Sequence, residues 1–158
     1  IATDRGNLRI LVTHLDSEDD GAQVRMGQLA VVLDLWNSST QSLIVGDMNF
    51  TPNTSEYDLM VSSGLRDLLL EAGNDRGTWP SDDPFERIDY AFGTTDLDVL
   101  RADSPMSHAS DHLPIRDTCR PDSSLCLNTS GAVWEQPRKA PRMRTGVAAT
   151  VFGEPPYK

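Results

Sequence analysis

The chain has 158 residues, with 24 acidic and 14 basic side chains and a net charge of −10. That length is one domain with room for a real core. An acidic body disfavours long nucleic acid as a partner unless a metal or a local basic patch intervenes. No stretch approaches the roughly 18 apolar residues of a membrane-spanning helix.

Along the chain, Leu8 to Thr13 is apolar and β-branched, a buried strand ending at His14. Asp16 to Asp20 is an acidic loop. From Gln23 to Trp36 apolar residues recur near helical spacing, which predicts a helix packed on a sheet. Ser42 to Gly46 reads as a second short buried strand, stopping at Asp47. Thr51 to Ser55 forms a turn and helix cap, Glu56 to Ser62 a short helix, and Arg66 to Leu70 a short helix or strand. After a Gly/Asn/Asp loop, Thr78-Trp79-Pro80 precedes a polar loop. Arg87 to Phe92 and Leu97 to Ala102 are strands, and His112 to Ile115 enters another. Strands alternating with helices indicate a layered α/β fold.

Residues 1–116 carry net −12 and no lysine, whereas 117–158 carry net +2 and half of the ten prolines. The break near residue 116 predicts a lobe over 1–116 and a Pro-rich, flexible tail over 117–158, basic around Pro137 to Arg144. Cys119 and Cys126 lie in the tail, either bridged or free. Two cysteines cannot fix the compartment.

Four polar clusters stand at strand ends: Thr13-His14-Leu15-Asp16, Gly46-Asp47-Met48-Asn49, Arg87-Ile88-Asp89-Tyr90 and Ser110-Asp111-His112-Leu113-Pro114. Strand ends are where separate segments of an α/β fold converge on a pocket. Asp47 and Asn49, two apart, share a side on extended backbone, and Gly46 lets the chain turn close to an anion. A carboxylate there accepts a proton from water and an amide donates to a phosphate oxygen, although Gly, Asp and Asn also make ordinary turns. Asp111 suits a hard cation and His112 proton transfer or charge stabilisation. Asp89 on a half-buried strand needs a partner, either a histidine or Arg87. His14 taken alone reads as a satisfied core histidine, and His108 is read as solvated.

In this order the clusters resemble the endonuclease/exonuclease/phosphatase superfamily. The matching stretches are LVTHLD at 11–16, LIVGDMNFTP at 43–52, RIDYAFG at 87–93 and SDHLPI at 110–115. The resemblance covers residues 8–116 and implies roughly the carboxy-terminal half of a two-layer β-sandwich flanked by helices. By that resemblance His14 contacts the scissile phosphate and assists the leaving group. Asp47 aligns water and serves the metal with Asp111, Asn49 holds a phosphate oxygen, and Asp89 orients His112. Mg2+ or Mn2+ is the implied cofactor. The implied reaction is hydrolysis of a phosphodiester or phosphomonoester on a small molecule, a lipid headgroup or nucleic acid. The Asn and Glu that the family's first half supplies to the metal are not found here, so a missing amino-terminal half is an expected partner. The alternative is a non-catalytic interaction module, or an inactive fragment, that keeps the fold.

Overall fold

The computed structural model describes residues 1–3, 6–121 and 147–151. Cys126 and the basic Pro137 to Arg144 segment lie outside these residues. Two short strands, β1 (Ala2–Thr3) and β2 (Gly6–Asn7), pair antiparallel at the start. β3 (Arg9–His14), α1 (Ala22–Trp36) and β4 (Ser42–Asp47) then form a parallel strand–helix–strand unit. α2 (Ser55–Ser62), β5 (Arg66–Asp67), α3 (Leu68–Glu71) and β6 (Asp89–Gly93) follow. β7 (Leu97–Asp103), β8 (Ile115–Pro121) and β9 (Val147–Val151) complete the described chain.

The first main sheet runs β3-β4-β6-β5, and the second β7-β8-β9 is antiparallel throughout. The composition break near residue 116 falls inside β8, which pairs with β7 on one flank and β9 on the other. The Arg66–Leu70 segment divides into strand and helix at Asp67, whose carboxylate accepts the Leu70 N–H as a helix cap. α2 begins the same way at Thr54, whose hydroxyl accepts from Tyr57. α1 ends where Asn37 turns left-handed at φ 50 and donates its N–H to the Leu33 carbonyl.

Strand alternation splits the apolar residues between two cores. Ile44, Tyr90 and Phe92 point outward beneath Leu29, Val32 and Trp36 of α1 and Met60 of α2. Tyr90 lies between Phe50 and Phe92, with both ring centroids 5.1 Å away. Leu43, Val45 and Ala91 point the other way, toward Leu97, Ala102, Ile115 and Cys119 of the second sheet. The architecture is therefore two sheets with an apolar seam between them, α1 and α2 on the outer side, and Leu68 and Leu69 of α3 packed into the seam. α1 departs from its apolar count in one respect. Val24, Val31 and Leu35 are exposed, while Arg25 is buried beside Glu56 at 3.1 Å.

Candidate active site at the end of the sheet seam

Three neighbouring strands change from apolar to polar at one level. Ile10 and Val12 are followed by His14, Leu43 and Val45 by Asp47, and Ala91 is preceded by Asp89 on the antiparallel β6. The register sets His14 opposite Asp47 and Asp47 opposite Asp89. Residues directly opposite point to the same face, so the three side chains form a row at the mouth of the seam. His112 reaches the row from the loop before β8.

The distances in the row are short. His112 Nδ1 lies 2.9 Å from Asp89 Oδ2, the histidine partner foreseen for Asp89. His14 Nε2 and His112 Nε2 lie 3.5 and 3.8 Å from Asp47 Oδ2. The other Asp47 oxygen accepts the Asn49 N–H at 3.0 Å. Asp89 is 1% exposed, whereas the His14 side chain is 45% exposed. One imidazole is locked inside and the other stands at the rim.

The electrostatics follow from that crowding. Burial, and then the Asp89 charge directly across the ladder, push the Asp47 carboxyl above its usual range, against the pull of both histidines. Burial alone would lower His112, but its bond to Asp89, with the charges of Asp89, Asp47 and Asp111, holds it above the usual imidazole value. The site retains protons to higher pH than isolated groups would.

Asn49 and Gly46 perform differently from the sequence reading. β4 ends at Asp47, and Asn49 adopts a left-handed φ of 51, so no extended backbone aligns it with Asp47. Its side-chain amide donates to the Leu15 carbonyl at 2.9 Å. Gly46 serves strand spacing. A Cβ there, at φ 151, would stand 1.7 Å from the Thr13 carbonyl oxygen of β3.

Asp111 lies beside the row. Its Oδ1 accepts the Ser110 hydroxyl at 3.1 Å and its carbonyl accepts the Ser81 N–H at 2.6 Å. His108 is exposed, as expected. Arg87 is paired with Asp67 at 2.5 Å, on the outer side of the sheet, and its guanidinium sits 4.7 Å from the Tyr90 ring centroid. Cys119 is buried and forms no disulfide among the described residues.

Among the described residues, Asp47, Asp89 and His112 offer ligand atoms within 4.8 Å of one another. Hard oxygen donors and two facing carboxylates suit a divalent cation, which relieves their repulsion. A hard cation takes about six ligands, so these residues fit part of its shell.

Thr78 and Ser81 escaped the sequence reading. Thr78, fully buried, accepts the N–H groups of both Ile88 and Asp89 on its hydroxyl. Its only sequence signal is a Thr-Trp-Pro interruption in a polar loop, and no spacing rule ties that to Asp89.

Comparison with known proteins bears on this geometry. Residues 5–112 match the sequence pattern described as the Endonuclease/Exonuclease/phosphatase family. No curated protein matches by sequence. Among solved structures, an endonuclease/exonuclease/phosphatase from Beutenbergia cavernae DSM 12333 is similar at 23% identity and a TM-score of 0.61, covering 72% of this chain and 36% of its own. The human Nocturnin catalytic domain with bound sulfate anion is similar at 24% identity and a TM-score of 0.56, covering 71% and 46%. The mannosyl-6-phosphatase of Bacteroides thetaiotaomicron VPI-5482 is similar at 19% identity and a TM-score of 0.52, covering 70% and 50%. The chain spans about half or less of the length of these structures. At such identities they speak for the shared fold.

Proposed function

Since the chain belongs to the endonuclease/exonuclease/phosphatase family, we propose that it carries one side of the active site of a divalent-metal-dependent phosphoesterase, and that a further segment of the family fold completes it. The observation that carries this reading is the His14–Asp47–Asp89 row with His112 bonded to Asp89. Two features support the need for a completing segment. The part this chain matches is 36%, 46% and 50% of the three similar structures, and Val12 is 72% exposed on the face that Ile10 and Val45 bury in the seam.

In this reading the Asp47 carboxylate takes a proton from water as the water oxygen bonds to phosphorus. The bond to the leaving oxygen breaks, and His14 at the exposed rim gives that oxygen a proton. His112, kept protonated by Asp89, donates a hydrogen bond to a phosphoryl oxygen as negative charge gathers on it. Asn49, already fixed through Leu15, presents its remaining amide N–H to another oxygen. Asp47 would hold the metal, with Asp111 as a second carboxylate from the adjoining loop. Mg2+ or Mn2+ there would neutralise charge on the phosphoryl oxygens. The acidic body, with Glu18, Asp19 and Asp20 exposed, favours a small phosphodiester, lipid headgroup or sugar phosphate over long DNA.

The test joins the chain to an amino-terminal half of a family domain and follows hydrolysis of a bis-aryl phosphate with Mg2+ or Mn2+. Excess chelator should abolish turnover. Asp47→Ala and His112→Ala should each lower it by about 10²–10⁴-fold, the usual contribution of positioned proton transfer. Turnover that survives chelation, or both substitutions, refutes the assignment.

A further inference from the structure

Thr78 and Ser81 lie on a segment that touches the backbone on both sides of the Asp89–His112 bond. The Thr78 hydroxyl accepts N–H groups from Ile88 and Asp89, each at 3.2 Å. Beside them the ladder with β4 continues through Met48 N–H to the Ile88 carbonyl. The Thr78 carbonyl accepts the N–H of Leu113, the residue after His112, at 2.7 Å. Three residues on, the Ser81 N–H donates to the Asp111 carbonyl at 2.6 Å and its hydroxyl to the Ser110 carbonyl at 2.7 Å. The segment is itself anchored to the sheet side, since Thr78 and Trp79 both donate to the Glu86 carbonyl.

We propose that Thr78 and Ser81 are positioning residues that splint the Ser110–Leu113 loop to the start of β6 and so set the geometry between His112 and Asp89. The loop belongs to the second sheet and Asp89 to the first, so their alignment depends on what spans the seam. Within the loop itself, the hydrogen bond from His112 N–H to Ser110 Oγ is local and fixes nothing across it. Thr78 and Ser81 together make five hydrogen bonds that span it, two to the start of β6 and three to the loop. Each sits within two residues of Asp89 or His112, where displacement of about 1 Å is enough to cost a large share of a rate. Thr78 is fully buried, so removing its hydroxyl also strands two N–H donors. They can be satisfied only if β6 or the loop moves.

The catalytic arm of the test rests on the proposed function; the spectroscopic arm rests only on the Asp89–His112 bond. In the full chain carrying labelled histidine, the His112 Nδ1 proton should give a deshielded, exchange-protected signal. Thr78→Val, which keeps shape and loses the hydroxyl, should remove that protection while the chain stays folded by circular dichroism. Thr78→Ser should restore it. In the joined domain Thr78→Val should lower kcat by about 10- to 100-fold with KM unchanged, as loss of a partner behind a site residue does. Ser81→Ala should move the same signal and rate in the same direction. An unchanged signal in folded Thr78→Val overturns the splint. If that variant fails to fold, an unchanged His112 signal in Ser81→Ala overturns it. If the unaltered joined domain hydrolyses nothing, the proposed function fails and the signal alone decides the splint.

Discussion

On the helix-covered face of the first sheet the buried charges are matched, Arg25 with Glu56 and Arg87 with Asp67, the latter pair roofed by Tyr57 and Tyr90. The face toward the second sheet is different. Among the described residues, Asp117 on β8 is 1% exposed with no hydrogen-bond partner for either side-chain oxygen, and Asp47 stands opposite another carboxylate. Both faces bury apolar side chains, but only one is electrostatically resolved. Satisfied ion pairs hold a structure in one arrangement, whereas unsatisfied carboxylates store a demand that a proton or cation can meet. The row lies on the second face for that reason. Four perturbations would break or sharpen the contrast.

The largest effect on stability belongs to the matched face. Arg87→Met leaves the Asp67 carboxylate buried without its cation, with the Tyr57 hydroxyl and the Leu70 N–H as neutral donors, and should cost roughly 3–5 kcal/mol in urea unfolding. Replacing Asp67 by Leu as well should recover most of it. A double variant no more stable than the single would show that the pair is not what organises this face.

Next is Asp117, whose carboxyl is pushed up by burial to about 6 from an ordinary 3.8. The folded chain favours its protonated form. The stabilisation this gives is complete below about pH 4 and is lost as pH rises through about 6. Asp117→Val should therefore match the parent near pH 4 and exceed it by roughly 3 kcal/mol at pH 8, at 1.36 kcal/mol per unit between 3.8 and about 6. A constant difference across that range would mean that Asp117 does not ionise in place.

Cation binding comes third. Mg2+ or Mn2+ should raise the thermal midpoint of the full chain, with about 2.7 kcal/mol gained at a hundredfold excess over the dissociation constant. Asp47→Asn should remove the response, and a midpoint insensitive to metal would count against the cluster.

The smallest effect is expected at Val12. Val12→Thr should change the stability of this chain by no more than about 0.5 kcal/mol, since the side chain is largely in water. The same substitution should cost more than that in the joined domain. Equal effects in both would argue that nothing further covers this face.

The sequence showed the strands and long helices through period and composition, and the site through four clusters at strand ends. Asp89 and His112 were legible as partners because a buried acid requires one. Other features depended on tertiary placement. Arg25 sits among polar spacers of α1 in sequence, yet Glu56, 31 residues away, makes it part of the core. Val24, Val31 and Leu35 fit a buried stripe by period, but only one side of α1 meets the sheet. β8 continues through an apparent composition boundary because its hydrogen bonds are made to β7 and β9, and sequence-local patterning carries no record of them. Thr78 makes its contacts to Ile88, Asp89 and Leu113 through one hydroxyl and one carbonyl, so no feature of its neighbours marks it.

Gly46 has a consequence for how such a site can change over generations. The missing side chain lets β3 and β4 lie close enough that a Cβ would overlap the Thr13 carbonyl. The span between His14 and Asp47 is therefore set by backbone against backbone, one residue before each of them. Exchanging the imidazole at 14 or the carboxylate at 47 would alter chemistry within an unchanged frame. Any larger residue at 46 would part the strands and retune every group in the row at once. The position without a functional group is thus the one where gradual variation is closed.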